Sequence, residues 1–266
     1  MKGRTITYYF LSIVIAFVFI SCKKDKPGYI YQGYDYFPNN VGHWVIYNVD
    51  SVYVNPLIAN HADTFNYQIK EVIDSFYTDN TGARTQVIVR YKRTLPDSVW
   101  AYQKTYTGSL TATEALRTED GIKYVKLTFP IATNASWNGG AFNNSAGSNA
   151  VFPDWNQTNF QYTSVNTPTY LNWHNFDSTV TVLQDSDRII NLITHQFFLE
   201  VYATHIGRIY KEIINLSSSG GTIGFDPGPP IRDSLYSPAD YIYLIKANQL
   251  AQGSTIYTET YVSSGN

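Results

Sequence analysis

The chain has 266 residues, a formal net charge of −2, one cysteine (Cys22) and one methionine (Met1). That balance gives no electrostatic case for a nucleic-acid partner. A lone cysteine excludes a disulfide-stapled body and leaves the region beyond it without a soft metal ligand. Tyrosine is abundant at 23 residues, and aromatics reach 16% while charged residues stop at 15%. Aromatic enrichment with few charges favours strands, and an all-β body of this length fits a single domain.

The N-terminus follows the three-part plan of an export signal. Lys2 and Arg4 form a basic start, Phe10 to Ile20 is apolar apart from Ser12, and the small Ser21 precedes Cys22. Such a run falls short of the roughly 20 apolar residues that span a bilayer. The segment Phe19-Ile20-Ser21-Cys22 resembles the lipobox of bacterial lipoproteins. The resemblance implies removal of residues 1–21, a diacylglyceryl group on the Cys22 thiol and acylation of its amine. Two or three acyl chains hold a protein stably at a membrane, at about 0.8 kcal/mol per buried methylene. The start Cys22-Lys23-Lys24-Asp25 is similar to that of many Bacteroidota lipoproteins, where a charged stretch after the cysteine directs export to the outer face of the outer membrane. The periplasmic and surface faces both stay open here.

Residues 22–35 form a tether marked by Pro27, Gly28 and Gly33, and residues 36–266 form the body. Tyr29, Tyr31, Tyr34 and Tyr36 are expected to pack the tether against the rim of the body. From Trp44 the apolar period is two. Val45, Tyr47 and Val49 share one face; Val87, Val89 and Tyr91 are set against Gln86, Arg90 and Lys92; Val125, Leu127 and Phe129 alternate with Lys126 and Thr128; Val180 and Val182 alternate with threonines. Half-buried antiparallel strands carry this pattern. Further strands are expected over 67–76, 98–105, 197–202, 209–214, 241–246 and 255–262. Asp79-Asn80-Thr81-Gly82, Thr94-Leu95-Pro96-Asp97 and Glu119-Asp120-Gly121 have the composition of hairpin turns. Asp187 to Thr194 is the nearest approach to helical spacing. Thr133 to Asn172 and Ser217 to Pro238 are expected to be long and irregular. Gly207 suggests a bulge or tight bend.

Three stretches together resemble a group of uncharacterised Bacteroidota lipoproteins with one mainly β body. They are Tyr36-Phe37-Pro38 with Gly42-His43-Trp44; Lys126-Leu127-Thr128-Phe129-Pro130 with Trp137-Asn138-Gly139; and Glu200-Val201-Tyr202-Ala203 with Ile206-Gly207-Arg208. The resemblance implies location and fold class and brings no chemistry with it.

Enzymatic motifs are absent. His43, His61, His174, His195 and His205 lack metal-ligand spacing. There is no G-x-S-x-G or S-x-x-K. Ser217 to Thr222 is glycine-rich but has no lysine and no following helix, so no phosphate site and no cofactor is expected. Paired carboxylates need no fixed spacing, which keeps a glycan-cleaving envelope hydrolase as the alternative function. Four Asp-Ser pairs, at Asp50, Asp97, Asp177 and Asp233, match a short O-glycosylation pattern of Bacteroidota envelope proteins. The strongest binding candidates are rings interleaved with amides, Trp137, Trp155, Tyr170 and Trp173, which suit an apolar or carbohydrate ligand. The plainer reading makes those rings a plug over one end of the body. The expected fold is a single antiparallel β domain, a curved sheet or barrel-like meander, with a β-sandwich as the runner-up. The expected function is that of a non-enzymatic envelope lipoprotein. It meets the membrane through its N-terminal acyl chains and binds an unspecified ligand or envelope component.

Overall fold

Alternation of apolar and polar residues builds twelve strands. They are β1 (Trp44–Val54), β2 (Ala62–Thr78), β3 (Arg84–Arg93), β4 (Ala101–Leu110), β5 (Glu114–Glu119), β6 (Ile122–Thr128), β7 (Ser136–Asn138), β8 (Asn159–Leu171), β9 (His174–Ser186), β10 (Thr194–Ala203), β11 (Gly207–Ser217) and β12 (Thr255–Gly265). They come from a computed structural model that describes residues 31–54, 62–94, 98–142, 159–186, 194–217 and 254–266. Cys22, His61, Trp155, the helix-like stretch 187–193, the segment 218–238 and the strand expected at 241–246 lie outside the described residues.

All strands belong to one antiparallel sheet in the order β6-β5-β4-β3-β2-β1-β12-β11-β10-β9-β8-β7. Neighbours in sequence are neighbours in space except at the centre, where β12 pairs with β1 from Trp44↔Gly265 to Tyr53↔Thr255. The two outer strands meet at a short seam. The Val125 amide donates to the Gly139 carbonyl at 2.9 Å, and the Trp137 indole N–H donates to the Val125 carbonyl at 2.8 Å. The sheet is thus a nearly closed barrel, which protects most of both edges. Bulges at Ile46/Tyr47, Arg90/Tyr91 and Val201/Tyr202 supply the bending that closure needs.

Turn chemistry follows the sequence at two hairpins. Asp79 accepts the Thr81 and Ala83 amides at 2.8 and 3.0 Å, with Gly82 at φ 82°. Asp120 and Gly121 both have positive φ, the type I′ pattern that matches strand twist. Gly207, at φ 88°, starts β11 beside Pro38, whose Cδ would lie 2.9 Å from a Cβ.

One set of core rings is Tyr36, Phe160, Tyr162, Phe198 and Tyr202, with Leu127, Val180 and Val182 between them. A second cluster joins Val45, Tyr47 and Val49 of β1 to Leu171 and Phe176 of the β8–β9 hairpin. Each fully buried aliphatic or Phe side chain stabilises by roughly 1.5–3 kcal/mol. Residues 32–39 strap this core. Tyr34–Tyr36 is a short 3-10 turn. Tyr36 Oη donates to Asn166 at 2.8 Å and lies 2.7 Å from Ser178 Oγ, and the Pro38 carbonyl accepts Gln86 Nε2 at 2.9 Å.

Two expectations need correction. In β3 the buried residues are Thr85, Gln86, Ile88 and Arg90, while Val87, Val89 and Tyr91 are only half-buried. The barrel interior accepts charge when that charge is paired, so apolar content did not mark the inner face. The irregular stretch expected over 133–172 instead contains β7 and the whole of β8. The amides and threonines of β8 lie on a hairpin with one well-exposed side, which needs no apolar alternation there.

Candidate functional site

The interior carries a cluster of charged side chains contributed by β2, β3, β5, β6, β10, β11 and β12. Arg90 donates to Glu71 at 3.0 Å and to Glu259 at 2.6 Å. Arg117 meets Glu71 and Glu119, each at 2.7 Å. Lys126 donates to Glu200 at 3.0 Å. Arg208 bonds Glu259 and lies 3.3 Å from Glu200. Lys211 lies 3.5 Å from Glu119. Glu200 also accepts Gln184 at 2.7 Å and the Tyr202 hydroxyl at 2.6 Å. Arg208 reaches Glu119 at 3.7 Å, from β11 to β5, so opposite walls touch and fill the interior at this level.

The electrostatics of the four carboxylates run one way. Burial pushes each carboxyl up, but the surrounding cations win. Arg117, Arg208 and Arg90 hold Glu71 below the ordinary carboxylate value; Lys126, Lys211, Arg117 and Arg208 hold Glu119 well below it. Glu200, against its burial, is brought to about 2 by Lys126, Arg208 and Lys211. Glu259 is lowered by Arg208 and Arg90. Burial lowers Lys126 itself, despite Glu119 and Glu200. A glycosidase pair needs one carboxyl held protonated near neutral pH, and these four are driven away from that condition.

A cavity of about 60 Å³ lies where the strap meets the barrel, lined by Phe37, Pro38, His43, Tyr47, Arg117 and Arg208 among others. That is room for a few water molecules. His43 is buried and bonded to Asn266 and to the Ile206 carbonyl at 2.9 and 3.0 Å. No group of three or more His, Cys, Asp or Glu suited to a metal ion occurs among the described residues.

The sequence-predicted rings separate into two places. Trp137 is half-buried at the seam, edge-on to Phe160 and 4.6 Å from the Tyr162 ring, with its indole N–H already used. Tyr170 and Trp173 sit at the β8–β9 tip, 61% and 87% exposed. Tyr170 is the register partner of Asn175, which is also exposed. Asn172 and Trp173 form the two-residue turn, with φ 48° and 68°. A bulky residue in the left-handed region costs about 1–2 kcal/mol, and glycine is the favoured occupant of this position. The opposite face of the tip is fastened down. Asn172 Nδ2 donates to the Tyr261 carbonyl at 2.8 Å, and the His174 and Phe176 rings stand edge-on to Tyr261 at 5.0 and 5.1 Å.

Sequence reasoning missed the charge cluster. A usable signal was present: Arg90 shares strand parity with Ile88, and Glu200 lies between Leu199 and Val201 in an apolar run.

No protein-family model matches the sequence, and no curated protein matches it. Among solved structures, a Bacteroides fragilis chain described as a "putative exported protein with YmcC-like fold" is similar, at 11% identity and a TM-score of 0.33. The likeness covers 86% of this chain and 98% of that one. At such values the neighbour assigns neither architecture nor role.

Proposed function

We propose that this protein is a non-enzymatic cell-envelope lipoprotein, anchored through acylated Cys22, whose barrel is a rigid scaffold that binds on its outside. The packed, charge-paired interior is the observation that carries this reading. A carrier needs an open apolar lumen, and here Arg208 of β11 reaches Glu119 of β5 while Arg117 of β5 reaches Glu71 of β2. A two-carboxylate glycoside hydrolase needs a carboxyl available as an acid, and Glu71, Glu119, Glu200 and Glu259 are each held ionised by arginine or lysine. The signal-like N-terminus ending in Cys22 supports the anchor. Cells given labelled palmitate should label the wild-type chain and not Cys22→Ser, and the variant should leave the membrane fraction. Equal labelling of the two chains, or release of reducing ends from envelope glycans by the pure protein, would overturn the reading.

A further inference from the structure

We infer that the tip of the β8–β9 hairpin is a carbohydrate-stacking site, where a neutral glycan lies against Tyr170 and Trp173 and hydrogen-bonds Asn175. This inference rests on the reading that the barrel binds with its outer surface. Packing does not account for Trp173. The ring is 87% exposed and its backbone is left-handed, in a turn position where glycine would be free of strain. A strained residue that buries little points to a task outside the fold.

The tip is also built to hold still. Leu171 and Phe176 belong to a core cluster, and the Asn172 side chain is tied to the Tyr261 carbonyl at 2.8 Å. The rings on the other side are therefore presented by a fixed backbone, which lowers the ordering cost of binding. Tyr170 and Asn175 stand directly opposite each other on paired strands, a spacing of about 5 Å between Cβ atoms. One ring face beside one amide suits a sugar, whose C–H surface stacks and whose hydroxyls bond.

Charge selects among ligands. From Asn166 to Ser178 the only charged residue is Asp177. The hairpin end offers no Lys or Arg to a phosphate or carboxylate, and Asp177 disfavours anionic lipid. A neutral polysaccharide meets neither obstacle.

The test uses the full-length acylated protein in detergent, run in native gels cast with dextran, laminarin, mannan or galactan. At least one polysaccharide should retard the wild type. Trp173→Ala and Tyr170→Ala should each weaken that retardation at least tenfold, while Trp173→Gly keeps a melting temperature equal to or above wild type. Retardation by none of the four, or unchanged retardation of Trp173→Ala, would overturn the site. Vesicles of brominated phosphatidylcholine provide the second arm. Quenching of wild-type emission that Trp173→Phe abolishes would assign the tip to the bilayer surface instead. Reducing ends released from a retained polysaccharide would sink the non-enzymatic reading while leaving the stacking site in place.

Discussion

Glu200→Gln removes one charge from the centre of the barrel and almost no volume. Glu200 is fully buried and serves Lys126 at 3.0 Å, Gln184 at 2.7 Å, Tyr202 at 2.6 Å and Arg208 at 3.3 Å. Breaking a buried pair on one side costs about 3–5 kcal/mol, because the partner charge stays behind. Titration gives the same scale. Burial opposes ionisation of Glu200, yet Lys126, Arg208 and Lys211 bring its pKa from 4.5 to about 2. A depression of that size is worth about 3 kcal/mol. Because the folded value lies below the unfolded one, this contribution is complete above about pH 4.5. It drains as pH falls and is gone below about pH 2. Urea unfolding followed by tryptophan emission should therefore show a gap of about 3 kcal/mol or more between wild type and Glu200→Gln at pH 7. The gap should shrink to roughly half or less by pH 3. A gap under about 1 kcal/mol at pH 7, or one that does not narrow in acid, would refute the reasoning.

Other changes probe the remaining features. A Cβ on Gly139 would lie 2.4 Å from the Phe160 ring, so Gly139→Ala should cost about 1–3 kcal/mol and speed hydrogen exchange at the Val125 amide. Exchange left as slow as in wild type would mean that the seam does not depend on that contact. Trp173→Gly relieves a left-handed backbone without removing packing, and should leave urea stability unchanged or raise it by about 1 kcal/mol. Tyr36→Phe deletes a hydroxyl bonded to Asn166 and set against Ser178, and should lower stability by about 1 kcal/mol in the same assay.

Much of the fold was legible. The alternation at Val45, Tyr47 and Val49 marks a face that is indeed buried, and the Asp79 and Asp120 turns sit where their composition places them. The inner face of β3 was harder to read, because Arg90 owes its buried place to Glu259, 169 residues away. Its parity with Ile88 is the one local sign of that face, and the partner at that separation leaves none. The turn at Asn172-Trp173 was hidden for a different reason. Tryptophan is among the last residues that turn chemistry would put at positive φ. Tyr170 and Trp173 stood out as rings among amides, and the structure gathers them on one hairpin end with Asn175. Only the fold could tell that Trp137 belongs elsewhere, since its role depends on β6 meeting β7.

The pairing of β1 with β12 sets the first and last strands side by side in the middle of the sheet. Each flank, β1–β6 and β7–β12, is a meander joined by its own neighbours. A nascent chain can complete the first flank early, yet β1 then waits with an open row of backbone groups until β12 emerges. Arg90 waits for Glu259, Lys126 for Glu200, and Glu71 for the more distant of its arginines, Arg208. A chain stopped short of Thr255 does not merely lose a fringe. It is left as two unsheathed half-sheets with unmatched charges, a state ready to pair with other chains. Completion of the last eleven residues of sheet is the step at which edge, interior and charge are satisfied together.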